Sequence, residues 1–463
     1  MTKIFFLPSF LYAGILTLFP LMAAGDVIPD PGSGNLTAAD ITMPPAQELP
    51  SEWSFSDCID WAAANTTSIR RNMLDILQAE QDVLSAKDGW LPSVGFNTRQ
   101  SYTNFPSAYE GQNGNTYGST YGISADWTVW DGNLRKYKIE SSKLLLSQKY
   151  LAEEDQLKTL KLGILEAYMN ILYAREAVEI AEQTLEVSDA QTKRAYALME
   201  SGRTSKVDYA QIESQRAQDE YNLVQANNNL ANACLSLKKI LELGLTTEMT
   251  VKEVKFPDSE VNAPLPDKNA VYSSAIAWLP QFRSNELSKE IYANDIKAAK
   301  STRLPQISLS GGISTGYTSG GPGWGSQMGH NFNENIGLNL NIPIFDANSA
   351  KRAEAKARLS SLDYDLTLKS LSDDLSNTLE SLYIDSSNAR AGYQAGLSRL
   401  EAASLTNDLT SRQFELGLVN PLELLTAHNN LLTARLELLQ SKYMSILASK
   451  TINFYLTGNV TLP

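Results

Sequence analysis

The residues able to support acid–base, nucleophilic or metal chemistry are few and scattered in this chain of 463 residues. His330 falls in a predicted loop and His428 on a predicted helix, and neither has a second ligand at metal-binding spacing. The glycine-rich stretch 311–325 lacks the Gly-Lys-Ser/Thr of a phosphate-binding loop, and neither a nucleophile triad nor a His-Glu-x-x-His motif is found. We therefore expect satisfied or solvated histidines, with no metal, no cofactor and no catalytic residues.

Two carboxylates stand out by their matching positions. Asp208 and Glu423 each lie six residues after a glycine, Gly202 in one case and Gly417 in the other. A carboxylate in the first turn of a helix is favoured by the partial positive charge there, so a solvated structural acid is the plain interpretation. Whether the two acids share a functional role depends on the elements that position them.

The largest of these elements is a helical pattern over residues 133–201, without proline. Large apolar residues recur every seven positions, and mostly small residues follow three positions after each one. The large set begins Leu157, Ile164, Ile171, Val178 and Leu185, and the second set begins Leu160, Ala167, Ala174, Ala181 and Ser188. This period predicts coiled-coil packing. At about 1.5 Å per residue, the helix would be roughly 100 Å long.

Before this helix, apolar residues recur at every second position instead of every seventh. From Tyr117 to Trp130 one face is mostly apolar and aromatic and the other mostly small and polar, as in a β-strand. A weaker strand precedes it around residues 94–102, and the loop 104–116, rich in Gly and Asn, predicts a hairpin. A second pair of alternating strands lies within 307–345, around a glycine-rich loop at 318–331.

The two halves of the chain repeat each other. Ala86-Lys87 and Leu91-Pro92 return 213 residues later as Ala299-Lys300 and Leu304-Pro305. Further pairs return at an offset of 215: Trp130-Asp131 as Phe345-Asp346, Tyr168 as Tyr383, Ala174-Arg175 as Ala389-Arg390, Gly202 as Gly417, and Asp208 as Glu423. So constant a register indicates a tandem duplication.

The predicted organisation follows from the repeat. We expect a signal peptide at 1–25, with cleavage after Ala24 or Gly25, and an extended Pro-rich segment at 26–53. The first repeat, 54–243, contains one helix, strands at 94–130, a long helix at 133–201 and a helix at 205–243. An equatorial linker at 244–270 leads to the second repeat, 271–457, with one helix, strands at 307–345, a long helix at 348–416 and a helix at 421–456. A tail follows at 458–463.

Charge and hydropathy restrict the partners. The formal net charge of −13 argues against nucleic acid, because no basic surface is available for phosphates. After the signal peptide, no run reaches the 18 or more apolar residues of a membrane-spanning helix, so we expect an exported protein that crosses an outer membrane as strands, if at all. Four strands cannot close a barrel, for which about eight is the usual minimum. Oligomerisation resolves this, and three subunits would supply twelve strands.

Together these blocks resemble the TolC-like outer-membrane efflux protein family over residues 54–457. The resemblance is carried by the two Ala-Lys…Leu-Pro blocks, the two aromatic-Asp pairs and the two glycine tips. It implies an α+β membrane protein: a homotrimer with a twelve-stranded β-barrel in the outer membrane, in contact with lipid, continued by a periplasmic α-helical coiled-coil barrel. Aromatic residues near the strand ends, Tyr121, Trp127, Trp130 and Phe345, would then lie at the membrane interface.

The resemblance also implies partners and sites. Members accept cargo from an inner-membrane transporter of RND, ABC or MFS type through a periplasmic adaptor (membrane fusion) protein. The periplasmic aperture would be lined by Asp208 and Glu423, and one turn on by Gln211 and Thr426, where some relatives carry another carboxylate. Adaptor docking would use the two tips, Ser201, Gly202, Arg203 and Thr204 with Leu416, Gly417, Leu418 and Val419. Arg203 either latches a tip to its neighbour or is simply solvated.

The only cysteines are Cys58 and Cys234. In an oxidising compartment two thiols favour a disulfide if geometry allows it. In the family's topology, the helix beginning near residue 55 and the helix ending near residue 240 meet midway along the tunnel. The resemblance therefore permits a bridge, and two buried free cysteines are the alternative.

Three functions are compared on this basis. The first is a passive outer-membrane export duct, serving either drug efflux or type I secretion. The second is a secreted structural coiled coil with small β appendages, such as an adhesin or adaptor; strands with a lipid-facing side favour the duct over it, and extraction with outer membranes would confirm the duct. The third is an enzyme on a tubular scaffold, and no group of catalytic residues in the sequence supports it.

Overall fold

The computed structural model describes residues 50–107, 114–244 and 247–462. The predicted signal peptide and nearly all of the segment 26–53 lie outside these residues. The first copy of the repeat contains α1 (Phe55–Asn65), α2 (Thr67–Asp88), β1 (Ser93–Asn104), β2 (Asn115–Trp130), α3 (Leu134–Glu200) and α4 (Lys206–Ile240). A short helix, α5 (Asp258–Val261), lies in the linker. The second copy contains α6 (Lys268–Trp278), α7 (Pro280–Ser301), β3 (Gln306–Thr318), α8 (Trp324–His330), β4 (Asn333–Asn341), α9 (Ser349–Glu415) and α10 (Pro421–Thr457).

The two long helices, α3 and α9, each contain 67 residues. Each begins after an asparagine in the left-handed region, Asn133 or Asn348. In both, the aspartate two residues earlier caps the start: Asp131 accepts a hydrogen bond from the Arg135 amide at 3.1 Å, and Asp346 accepts one from the Ala350 amide at 2.8 Å. The aromatic-Asp repeat in the sequence therefore marks the change from strand to helix.

The helix that opens each repeat is broken in two, where the sequence pattern predicted a single helix. In the second copy Pro280 is the first residue of α7, and Leu279 before it is extended at ψ 127° because a residue preceding proline avoids the helical region. In the first copy Thr66 is extended at ψ 140°, and the Glu242 carboxylate accepts a hydrogen bond from the Thr67 amide at 3.0 Å. The capping group for α2 thus comes from the far end of the repeat.

The four strands form one antiparallel sheet in the order β1-β2-β3-β4. The duplicated hairpins pair through β2 and β3, where Ile123 lies opposite Ile313 and Trp127 opposite Leu309. Among the described strands, β1 and β4 each have one unpaired edge. An exposed strand edge is a template for pairing with another chain.

The register sorts the side chains of the sheet into two chemically distinct faces. One face is apolar over the half nearest the long helices: Val94, Phe96, Ile123, Trp127, Ile307, Leu309, Ile313, Ile336, Leu338 and Leu340. The other face is dominated by Ser, Thr, Asn and Gly, for example Ser310 and Gly337 in one row and Gly122 and Ser314 in another. Because much of the apolar face is exposed in the single chain, it needs a nonaqueous neighbour.

Two details of the second hairpin differ from the sequence-based expectation. Strand β4 ends at Asn341 instead of reaching residue 345, because Pro343 has no amide hydrogen for the ladder. Phe345 therefore lies beyond the strand. The glycine-rich connection at 318–331 is not only a loop, since it contains α8, and Gln327 from α8 exchanges hydrogen bonds with the backbone of Thr318.

The helices pack as two hairpins, α3 with α4 and α9 with α10, with α2 and α7 alongside the long helices. The largest core lies where α1, α3 and α4 meet the linker. There, repeat-equivalent side chains bind linker carbonyls: Tyr168 donates to Lys252 at 3.0 Å and Tyr383 to Pro266 at 2.7 Å. Burial raises the pKa of Tyr168 to about 12, so its hydroxyl stays a donor at physiological pH. Arg175 and Arg390 likewise donate to Val251 and Ala263.

None of the described helices combines the length and the apolar composition needed to cross a bilayer.

Candidate functional site

The two helical hairpins end in turns of the same construction. In the first, the amide of Arg203 donates to the Leu198 carbonyl at 2.9 Å, and in the second, that of Leu418 donates to the Gln413 carbonyl at 2.9 Å. Each turn contains one glycine in the left-handed conformation, Gly202 at φ 72° and Gly417 at φ 73°. Glycine is favoured there because a Cβ atom would cost about 1–2 kcal/mol. The turns at 201–205 and 416–420 are called the tips below.

The two acids singled out in the sequence cap the helices that leave the tips. Asp208 accepts from the Ser205 amide at 3.2 Å and its hydroxyl at 2.8 Å, while the Ser205 hydroxyl accepts from the Asp208 amide at 3.0 Å. In the second hairpin the Asn420 side chain accepts from the Glu423 amide and donates to its carboxylate, both at 3.0 Å. A stabilising role in the first turn is thus established for both acids.

The residues one turn further on are both exposed. Gln211 lies on the surface of α4, and Thr426 lies on α10 with its hydroxyl donating to the Leu422 carbonyl at 2.7 Å. The nearby cations Arg203 and Lys206 are also exposed, and neither forms an ion pair with an acid among the residues that the structure describes. The acids at the tips therefore have no intrachain basic partner within that part of the chain.

A small apolar cluster joins the two tips. Ala195 and Ile212 from the first hairpin pack with Phe414 and Leu424 from the second, and all four are buried. Burial of a large apolar side chain contributes about 1.5–3 kcal/mol. Arg194 and Glu415 form an ion pair across the same contact at 2.5 Å. Beyond the cluster, a cleft of about 490 Å³ lies between the tips, lined by Arg203, Asp208 and Asn420 among others.

The outer surface of the tips is apolar as well as polar. Four large apolar side chains are exposed on the tips and on the first turns of the helices that follow them: Val207, Leu416, Leu418 and Leu422. Thr204 and Val419 are half-buried, whereas Ser201 is exposed. Exposed apolar side chains grouped around a turn are typical of an interaction surface.

A buried polar network that was not predicted from the sequence links the hairpins above the tips. Asp219 of α4 is 1% exposed, and its Oδ2 atom lies 3.0 Å from Nε2 of His428, which is 4% exposed and belongs to α10. Ser188 of α3 donates to the same oxygen, and Gln215 donates to Oδ1 at 3.0 Å. Burial by itself would raise the pKa of Asp219, but the hydrogen bonds from His428, Ser188 and Gln215 hold it below its ordinary value.

This network contains the residue types of a catalytic triad but not its geometry. Ser188 and His428 both contact the carboxylate, and the structure shows no hydrogen bond between the hydroxyl and the imidazole. A triad requires the imidazole to accept the hydroxyl proton. The arrangement is a cross-hairpin tie. The signal that identifies it in the sequence is a charged residue at an apolar heptad position, because Ile212, Asp219 and Ala226 are seven residues apart.

The cysteines do not form the bridge that the resemblance permitted. Both carry free thiols, Cys58 buried in the main core and Cys234 half-buried against it. Burial, assisted by the charge of Asp57, raises the pKa of Cys58 to about 12, and burial raises the pKa of Cys234. Both thiols therefore fill core space as small apolar groups.

The aromatic residues predicted at the membrane interface occupy the region around the sheet. Trp127 donates to the Trp90 carbonyl at 2.9 Å, and the Arg135 guanidinium stacks on the Trp90 ring at 4.2 Å. Trp130 and Phe345 lie at the helix end of the sheet and Tyr121 lies midway along β2, where it accepts a hydrogen bond from Gln100 at 3.1 Å. Three of the four therefore mark the change from strand to helix, and Tyr121 does not.

Comparison with known proteins gives consistent matches along the chain. The family model for outer membrane efflux proteins matches residues 58–242 and 271–458, one segment for each repeat. The chain is 23% identical over 410 residues to the outer membrane efflux protein BepC of Brucella suis, covering 86% of this chain and 84% of BepC. It is 22% identical over 326 residues to the alkaline protease secretion protein AprF of Pseudomonas aeruginosa, covering 69% and 65% of the two chains. Among solved structures, CusC superposes with a TM-score of 0.71 at 18% identity, covering 90% of this chain and 98% of CusC.

Proposed function

The chain belongs to the outer membrane efflux protein family, and from this membership we propose that it is the passive exit duct of an export system. The protein is located in the outer membrane. The observation that carries the proposal is the sheet: one face is apolar, the other is small and polar, and the strands continue directly into helices of 67 residues. A sheet with these two faces separates lipid on its apolar side from water on its polar side. The long helices extend the hydrated path away from the membrane.

We propose a homotrimer because a single sheet of four strands leaves two edges unpaired. Pairing β1 of one subunit with β4 of the next satisfies both edges, and three subunits give a closed sheet of twelve strands. Lipid excludes open sheet edges, since unpaired amides and carbonyls are costly there. The test is outer-membrane fractionation followed by conductance of the purified protein in planar bilayers. A trimer with stepwise conductance is expected, and a monomer or a nonconducting protein would overturn the proposal.

At the tips, three-fold symmetry would bring six carboxylates, Asp208 and Glu423 from each subunit, around one opening, with Gln211 and Thr426 one turn further along. Crowded like charges repel unless cations or a basic neighbour compensate them. Arg203 and Lys206, which have no acidic partner in the described part of the chain, are available to compensate across a subunit boundary. The resting duct would be narrowest here.

The aperture is tested by neutralising both acids, Asp208→Asn with Glu423→Gln. Both replacements keep side chains able to accept hydrogen bonds at the helix starts. We expect lower cation selectivity and weaker block by divalent cations in single-channel recordings. The matched control is Asp189→Asn with Glu437→Gln, an acidic pair on the same helical hairpins but away from the tips. If the tip variant conducts and selects like the unmodified channel, these acids do not line the aperture.

The tips are also the proposed docking surface for a periplasmic adaptor. Their exposed apolar residues, Val207, Leu416, Leu418 and Leu422, give a partner something to bury. Changing Gly202 and Gly417 to bulky residues should abolish export while trimers still assemble, because a Cβ atom at either position would have no nonadjacent atom of the described chain within 4 Å. Unchanged export by the double variant would place docking elsewhere.

The relatives point to two different classes of cargo. BepC is described as an efflux protein and AprF as a secretion protein for alkaline protease. We propose that this chain works with an inner-membrane transporter of RND, ABC or MFS type. Crosslinking in cells at the tips, followed by identification of the copurifying transporter, distinguishes drug efflux from protein secretion.

A further inference from the structure

A concentration of basic side chains lies where the helices meet the sheet. Four segments meet there, 84–92 and its repeat equivalent 297–305, and 131–144 and its equivalent 346–359. We call them the junction belt. They contain twelve Lys and Arg against five Asp and Glu, in a chain whose formal net charge is −13. The charge of this region is thus opposite to that of the protein as a whole.

The acids of the junction belt are mostly engaged within the chain. Asp131 and Asp346 cap the long helices, as described above. Glu354 binds three cations, Arg358 at 2.8 Å, Arg303 at 3.0 Å and Lys300 at 3.9 Å. The hydrogen bond from Arg358, followed by the nearby charges, holds the pKa of Glu354 below its ordinary value. One carboxylate surrounded by three cations indicates a local excess of positive charge.

Eight other cations of the junction belt are exposed and have no ion pair with an acid among the described residues. They are Lys87, Lys136, Lys138, Lys143, Lys351, Arg352 and Lys356, and Lys297 is the eighth, with its ammonium over the Tyr137 ring at 5.7 Å. Their positions follow the starts of α3 and α9: at about 1.5 Å per residue, Lys136, Lys138, Lys351 and Arg352 lie within roughly 6 Å of a helix start along the axis. Exposed cations without an intrachain acid in the described part of the chain are therefore concentrated around the starts of the two long helices of an acidic protein.

The junction belt directly adjoins the apolar face. Val94 of that face is 69% exposed and follows the belt segment 84–92 by two residues, and beyond β4 the exposed Ile344 and Phe345 precede Lys351. The opposite end of the sheet lacks this feature, since segments 104–116 and 319–332 contain no Lys or Arg. An apolar band bordered on one side only by cations matches a bilayer leaflet whose headgroups are anionic.

We propose that the junction belt binds the phosphate headgroups of anionic phospholipids in the leaflet on the helix side of the membrane. This rests on the proposed function, which puts the sheet within the bilayer. Long Lys and Arg side chains reach from the helices towards the headgroup level while their stems cover apolar surface. The belt fixes how deep the sheet lies and prevents the acidic helices from approaching the anionic surface.

The experiment compares lipids on the purified full-length trimer in neutral detergent. Phosphatidylglycerol and phosphatidylcholine with brominated acyl chains are titrated in turn, and quenching of tryptophan fluorescence reports binding, because Trp90, Trp127 and Trp130 lie beside the belt. We expect phosphatidylglycerol to bind at least about fivefold more tightly, since a cation near an anionic surface is worth about 1 kcal/mol. The preference should shrink with added salt.

The variant that tests the belt is Lys136→Gln, Lys138→Gln, Lys351→Gln and Arg352→Gln together. It should lose the preference for phosphatidylglycerol, whereas the charge-keeping set Lys136→Arg, Lys138→Arg, Lys351→Arg and Arg352→Lys should retain it. The control replaces four exposed cations remote from the junction: Arg71→Gln, Lys239→Gln, Lys252→Gln and Lys369→Gln. It should behave like the unmodified protein.

Three outcomes of the lipid titrations overturn the proposal: no preference in the unmodified protein, an equal loss in the remote control, or full retention in the junction variant. A free phosphate site is distinguished by competition, because inorganic phosphate would then abolish the preference at an ionic strength where chloride does not. That result also overturns the proposal. Conductance of the unmodified trimer is measured on the same preparation, so loss of the duct function is recognised separately from loss of lipid preference.

Discussion

The Nε2 atom of His428 lies 3.0 Å from Oδ2 of Asp219, and the two residues are 209 positions apart in the chain. The pair joins α4 of the first hairpin to α10 of the second just above the tips. Beside it, Gln215 and Asn429 exchange hydrogen bonds between the same two helices, at 3.2 and 3.3 Å. The two repeats are therefore tied by polar contacts between α4 and α10.

The first prediction concerns the cost of breaking this tie. Replacing His428 by Leu should destabilise the fold by about 3–5 kcal/mol, because it leaves a buried carboxylate with one partner fewer. Removing both groups, Asp219→Leu with His428→Leu, should cost less than the single change. Urea unfolding followed by helical circular dichroism measures both. The exposed ion pair of Asp189 with Arg216 is the control, and Asp189→Ala should cost no more than about 1 kcal/mol. A double variant at least as unstable as the single one contradicts the prediction.

The second prediction concerns acid. The folded-state pKa of Asp219 lies below its ordinary value of 3.8, so the group contributes stability that is fully present above that value. This contribution is lost as the pH falls below 3.8 and through the folded-state pKa. Unfolding free energies measured between about pH 5 and pH 2 should therefore decline less steeply for Asp219→Asn than for the unmodified protein. Parallel curves for the two proteins would show that Asp219 is not linked to acid unfolding.

The third prediction compares two glycines with the same backbone strain. Gly132 and Gly202 have φ of 69° and 72°, but a Cβ atom at Gly132 would lie 2.9 Å from the Ser301 carbonyl oxygen, whereas nothing lies within 4 Å at Gly202. Gly132→Ala should therefore be the more destabilising by about 1–3 kcal/mol, through overpacking at the strand-to-helix junction. Thermal unfolding of the two variants, side by side, gives the difference. Equal losses of stability in the two variants would mean that backbone strain alone determines the effect of both substitutions.

The fourth prediction concerns the thiols. With a pKa of about 12, Cys58 should react with iodoacetamide at pH 8 at least about 100-fold more slowly than an exposed cysteine, because the thiolate is the reactive form. The measurement uses a Cys234→Ala protein, and unfolding it in urea should restore the ordinary rate. Nonreducing peptide mapping of the unmodified protein should find both thiols free. A Cys58–Cys234 linked peptide would contradict the structure.

The fifth prediction concerns orientation. The connection between β3 and β4 should face the cell exterior, because the other ends of these strands continue into helices. In a background without native cysteines, Gly325→Cys should be labelled by an impermeant maleimide on intact cells, since nothing lies within 4 Å of that position. Gly114→Cys tests the first hairpin in the same way. Labelling that requires a permeabilised outer membrane would reverse the orientation.

Much of this architecture is encoded locally, which is why the sequence predicts it. The heptad period predicts a helix over 133–201, and the structure has α3 from Leu134 to Glu200. The alternation from Tyr117 to Trp130 predicts a strand, and β2 ends at Trp130. Gly202 and Gly417 predict the ends of the long helices because only glycine takes the left-handed conformation without strain. These features depend on side-chain periodicity and on backbone preferences of single residues.

Other features depend on contacts between distant parts of the chain. The break at Thr66 depends on the carboxylate of Glu242, and the pairing of β2 with β3 depends on bringing residue 123 to residue 313. In the same way, the duplication gives each repeat a matching acid at its tip, but Asp219 and His428 have no counterpart in the repeat and meet only because the hairpins pack. The sequence by itself determined the two long helices, the order of helices and strands and their duplication, since period and capping act within a few turns. The tertiary structure alone decided the register of the sheet, the helix break at Thr66 and the buried tie, because each needs partners that only packing brings together.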